Sequence, residues 1–198
     1  MLVRTNLVRH RGFTLVEVMV VIVILAILFG IALPTYRIWI QNLQIRNAAD
    51  SIQNGLQLAR AEAVKRNTNV QLVLVGPAVD PAIPANAGNA GLATGPNWIV
   101  RIVDPTLAYA TPANFYIQGR AITEGSRNAT ITTAPATPLF TFSSLGRLTS
   151  APSLITVDNT NILPAADRRT LQVQVAVGGQ IRMCDPSPLL STTDPRRC

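Results

Sequence analysis

Few side chains in this sequence have the chemistry that catalysis or metal binding needs. The only histidine is His10, in a short basic stretch at the start, so no Ser-His pair or His-ligated metal set can be assembled further along the chain. There is no glycine-rich phosphate loop, no HExxH and no CxxC. The 10 acidic residues are scattered without a motif, which suits surface solvation. No catalytic site, metal site or cofactor is therefore expected, and the chain does not read as an enzyme. Two groups stand out. Glu17 lies inside a long apolar run, and Cys184 and Cys198 both fall within the last fifteen positions.

The run containing Glu17 is Phe13 to Leu33, apolar apart from Thr14 and Glu17. At about 1.5 Å per residue it makes roughly 30 Å of helix, enough to cross a hydrocarbon core. Arg4, Arg9 and Arg11 precede it, which would hold the N-terminus in the cytoplasm and place the rest beyond the membrane. A cleaved secretory signal is the rival reading, with a small-residue site at Gly30-Ile31-Ala32. Against it, the run is longer than the usual apolar region of about 7–15 residues. An unpaired carboxylate there also costs at least about 2.5–3.5 kcal/mol, which implies a partner for Glu17. Two cysteines downstream of such a segment read as one disulfide formed in an oxidising compartment, with two free thiols as the alternative.

The residues Gly12-Phe13-Thr14-Leu15-Val16-Glu17 resemble the prepilin cleavage motif of type IV pilins and type II secretion pseudopilins. The resemblance implies that a prepilin peptidase removes a leader, residues 1–12, by cutting after Gly12, and that Phe13 becomes an N-methylated N-terminus. That cut would leave no histidine, and 14 basic against 10 acidic residues. Glu17 would then be the fifth residue and would pair with the Phe13 ammonium of a neighbouring subunit in an apolar filament core, two charges tolerable together. Residues 13–34 would be the membrane and filament-core helix, with Gly30 and Pro34 inviting a kink where it leaves the lipid.

From 35 to 67 the pattern stays helical, with a stripe at Ile45, Ala48, Ala49, Ile52, Leu56, Ala59 and Ala63 in steps of three and four. A single helix to Arg66 would be about 80 Å long. Residues 68–198 read as a β-rich periplasmic domain. Its strand-like runs are 69–75, 98–103, 139–142 and 171–177, and a long loop occupies 76–96. The predicted fold is α+β and pilin-like: a long N-terminal helix packed on an antiparallel sheet.

Leu56 to Arg66 followed by Asn69-Val-Gln-Leu, then Phe142 to Arg147, and Gly179 to Pro186 ending at Cys198, are similar to the GspH/FimT family. The resemblance implies a minor subunit placed near a filament tip, where it helps initiate assembly, with other pilins or pseudopilins, the prepilin peptidase/methyltransferase and inner-membrane lipid as partners. Pilus and secretion pseudopilus remain alternatives. One branch of the family suggests DNA capture in natural transformation through a Gly-Arg-x-Arg element; here the stretch is Gly179-Gln180-Ile181-Arg182, with glutamine for the first arginine. Arg182, Arg196 and Arg197 would form a non-specific phosphate-binding patch if a Cys184–Cys198 bridge folds the tail back, and solvated surface arginines otherwise.

Overall fold

The structure, a computed structural model, describes residues 12–76, 95, 97–103, 115–121, 124–150 and 153–198. The leader up to residue 11 and nearly all of the long loop expected after Gly76 lie outside the described residues.

Helix α1 spans Leu15–Arg66. Its C-terminus is closed by Asn67 at φ 52°, with Asn67 N–H donating to the Val64 carbonyl and Thr68 N–H to the Ala63 carbonyl. This is the paired bonding by which a left-handed residue satisfies the last orphan carbonyls of a helix. The chain divides into two compact units, one ending at Arg37 and the other Ile38–Cys198.

In the second unit the strands are β1 (Val70–Val75), β2 (Asn97–Ile102), β3 (Tyr116–Arg120), β4 (Thr130–Ala134), β5 (Leu139–Phe142), β6 (Ser153–Asp158), β7 (Leu171–Val175) and β8 (Ile181–Cys184). They form two four-stranded antiparallel sheets, ordered β3-β2-β1-β5 and β4-β6-β7-β8. The expected α+β architecture is present, with two sheets where the sequence suggested one. β7 is also shorter than the run to Val177, because Ala176 and Gly179 close a turn through Ala176 N–H to the Gln180 carbonyl and Gly179 N–H to the Ala176 carbonyl.

All seven stripe residues of α1 are buried and share one core with the inner faces of both sheets. Ile52, Leu56, Leu72, Phe140, Ile155 and Val173 are among its fully buried members from helix and strands. Each large aliphatic side chain buried there contributes about 1.5–3 kcal/mol. Alanines in the stripe and Gly55 keep the helix close to the strands: a Cβ on Gly55 would stand 2.9 Å from Leu72 Cδ1. Trp98 Nε1 donates to Ser51 Oγ at 3.0 Å, tying β2 to the same helix. β1 is buried along its whole length because it is paired on both sides and covered on both faces. Val70, Leu72 and Leu74 join the main core, while Val73 and Val75 meet Ile99 and Phe115 in a second cluster.

Candidate functional site

The N-terminal segment and the C-terminal tail carry the candidate residues. Thr14 caps α1: its hydroxyl accepts the Glu17 backbone N–H at 3.2 Å, and its carbonyl accepts the Val18 N–H. Thr14-x-x-Glu17 is thus the first half of a capping box, and Glu17 sits in the first turn, where the helix dipole favours negative charge. The Thr-x-x-Glu spacing that signals this cap is present in the sequence, inside the apolar run. The Glu17 carboxylate has no partner among the described residues.

Phe13 is 83% exposed, and large apolar side chains from Leu15 to Leu33 are exposed on every face of the helix. The helix contains an 18-residue window of mean hydropathy 3.0, none of it buried by the chain, and by length and composition it is able to cross a membrane. A soluble protein's core helix would bury such a window. α1 continues without a break through Gly30 and Pro34, and a Cβ on Gly30 would meet nothing within 4 Å.

At the other end Cys184 and Cys198 are disulfide-bonded, with Cα atoms 5.0 Å apart. The returning tail lies along β8: Asp185 N–H donates to the Arg196 carbonyl, Cys198 N–H to the Asp185 carbonyl, and Asp185 bridges Arg197. Arg182 Nη2 donates to the carbonyls of Pro195 and Arg197, each at 2.8 Å. Arg197 Nη1 donates to the Leu190 carbonyl, and Arg196 grips Asp194 through Nε and Nη2. The Arg196 side chain, and then its backbone N–H, holds the Asp194 carboxyl at about 2, and the same pair raises Arg196. The bridge does bring Arg182, Arg196 and Arg197 to one region, yet each guanidinium is engaged within the tail. They act as a clasp.

Two further arginines, Arg46 and Arg169, line a groove beside the tail. The groove, of about 350 Å³, runs between α1 and the β7–β8 edge, lined among others by Asn42, Arg46, Arg169, Met183 and Arg196. Asn42 fixes one wall, its Nδ2 donating to the Asp167 carbonyl and its Oδ1 accepting the Arg169 N–H, both at 2.9 Å. Nothing in the sequence spacing links residue 42 to residue 169, so this wall was not foreseen. Among the described residues there is no cluster of three or more His, Cys, Asp or Glu able to hold a metal.

A capped, unburied apolar helix whose later part packs on two antiparallel sheets, with a disulfide-closed tail, is a pilin-like fold. The chain belongs to the family described as Type II transport protein GspH, whose model matches residues 48–179, and residues 7–33 match the prokaryotic N-terminal methylation motif. Among solved structures it is similar to the type IV minor pilin FimU of Pseudomonas aeruginosa, at 16% identity and TM-score 0.49 over 73% of this chain and 91% of that one. It is also similar to the minor pseudopilin EpsH of Vibrio cholerae, at 13% identity and TM-score 0.45 over 73% of this chain and 98% of that one. A third similar structure is Escherichia coli GspH, at 13% identity and TM-score 0.41 over 76% and 94% of the two chains. No curated protein matches the sequence. The chain is thus a member of the GspH transport-protein family that carries an N-terminal methylation motif.

Proposed function

We propose that this chain is a minor subunit of a type IV pilus that enters the filament near its tip and helps to initiate assembly. The observation that carries the reading is the exposed apolar helix headed by Gly12-Phe13, with a Glu17 carboxylate that has no partner among the described residues. In this reading the prepilin peptidase cuts after Gly12 and Phe13 is N-methylated. Residues 13–34 hold the subunit in the inner membrane with residues 68–198 in the periplasm, and Gly30 and Pro34 let the helix bend as the subunit leaves the lipid. Within the filament Glu17 pairs with the Phe13 amine of a neighbouring pilin, so that two charges costly alone in an apolar core neutralise each other.

The description Type II transport protein GspH favours a second reading, a minor pseudopilin of a secretion system. DNA capture through Arg182, Arg196 and Arg197 has less support, because those guanidinium groups are bonded to Pro195, Arg197, Asp194 and Leu190.

The test is the N-terminus of the protein made in a bacterium with a prepilin peptidase. N-methylated Phe13 is expected; a product beginning after Ala32 refutes the filament reading. Glu17→Gln keeps a residue that suits the third helical position and leaves the Thr14 hydroxyl bond to the backbone in place. It should therefore preserve cleavage and membrane insertion while reducing incorporation into filaments. Incorporation at the normal level would show that the carboxylate is not the assembly contact.

A further inference from the structure

β8 is the last strand of its sheet and pairs only with β7, in the register Gln172↔Cys184, Val173↔Met183, Gln174↔Arg182 and Val175↔Ile181. The Ala176 N–H bonds to the Gln180 carbonyl, and bonded pairs alternate along an antiparallel ladder. Gln180, Arg182 and Cys184 therefore bond towards β7, while Ile181, Met183 and Asp185 turn their N–H and C=O groups away from it. A row of that kind is a template on which a strand of another chain can add.

The tail takes this side of β8. It runs parallel to the strand with Asp185 opposite Arg197: the Asp185 N–H donates to the Arg196 carbonyl, and the Asp185 carbonyl accepts the Cys198 N–H. Pro195 and Arg196 line the same groove as Met183. The tail would itself be a new edge if its main-chain groups were open, but from Asp194 to Arg197 each one is taken. The N–H groups of Asp194, Arg196 and Arg197 donate to the Ser191 carbonyl, Asp194 Oδ1 and the Asp194 carbonyl, and Pro195 has no N–H. The carbonyls of Pro195 and Arg197 both accept Arg182 Nη2, and that of Arg196 accepts Asp185. Proline and charged side chains, here Asp194-Pro195-Arg196-Arg197, are also the residues with which natural sheets blunt an edge. The Cys184–Cys198 bridge pins the end of this segment to β8.

We infer that the disulfide-closed tail is a strap that shuts this sheet edge. While it is fastened, no strand of a second copy can add to β8; once it is released, one can. Arg182 serves the closure by capping the tail's carbonyls, and Arg196 by holding Asp194 in the turn.

The full-length chain in detergent micelles is compared with one carrying Arg182→Gln, Cys184→Ala and Cys198→Ser, which lacks both the bridge and the Arg182 bonds. Trypsin cleavage at Arg196 and Arg197 reports release of the tail. In sedimentation the released chain should dimerise with a constant about 25-fold above that of the strapped one, about five-fold for each of the two main-chain bonds that Met183 exchanges with an added strand. The Met183 amide of the released chain should exchange its hydrogen more slowly as protein concentration rises. Met183→Pro removes the outward N–H without touching a β7 bond and should return the released chain to the strapped behaviour, whereas Met183→Ala, which keeps that N–H, should not. Three results overturn the inference. The tail still resists trypsin without bridge or Arg182; or the released chain associates no more than the strapped one; or it associates while Met183 exchange stays indifferent to concentration, the mark of contact through side chains or unfolded chain.

Discussion

Reduction of the Cys184–Cys198 bond should destabilise the whole second unit, by an amount set by how well the reduced tail stays in place. The bonded cysteines are 14 residues apart, so reduction returns the freedom of a loop of about 15 residues to the unfolded chain, worth about 3 kcal/mol in the chain-entropy account. That full cost appears only if the native tail remains docked without the bridge. The Arg182 bonds to Pro195 and Arg197 and the backbone bonds between Asp185 and Arg196 and between Cys198 and Asp185 are what would keep it there. For a chain of this size each kcal/mol moves Tm by about 2–4 °C, so Tm should fall by about 6–12 °C. The assay is thermal unfolding of the full-length protein in detergent, oxidised against reduced. It is followed by emission from Trp98, which is 3% exposed in the helix-facing core, in a Trp39→Phe background. Limited trypsin digestion at Arg196 and Arg197 reports whether the tail is docked. Arg182→Gln should leave the oxidised tail in place and expose the reduced one. An unchanged Tm with a reduced tail that still resists trypsin refutes the reasoning, since a docked tail without the bridge must carry the loop entropy.

Leu56→Ala, at a fully buried position of the helix stripe, should lower unfolding free energy by about 2–5 kcal/mol in denaturant titration, whereas the half-exposed Val64→Ala should stay within about 0.5 kcal/mol. Equal effects would mean that the helix face has been assigned wrongly. Asp194 should titrate at about 2 in the native protein, against an ordinary 3.8. A depressed carboxylate adds its stabilisation above the unfolded value and loses it as pH falls towards 2, so the hold of Asp194 on Arg196 weakens in that acid window. Carbon-detected NMR of the carboxyl should show the low midpoint, and Arg196→Gln should return it towards the ordinary aspartate value; a native midpoint already at that value would show that the pair is not formed in solution.

What this sequence determined by itself is local and periodic. An apolar run of membrane length, the placement of Glu17 inside it, and a stripe in steps of three and four are readable from residue type and spacing, because helix geometry depends only on near neighbours. The runs that became β1, β2, β5 and β7 were legible for the same reason, being dense in β-branched and aromatic residues. β3, β4, β6 and β8 were missed. They carry Gln, Gly, Arg, Thr and Ser, and strands of that composition are stabilised by the partners they meet, such as Thr156 opposite Gln172 and Arg182 opposite Gln174. Tertiary structure alone decided what the tail arginines do. The bridge folds the last residues back so that Arg182, Arg196 and Arg197 meet carbonyls and Asp194, while Arg169, unremarkable in the sequence, is set beside Arg46 by Asn42. Hydrogen-bond partners far apart in the chain leave no periodic trace, and so the charged surface waited on the fold.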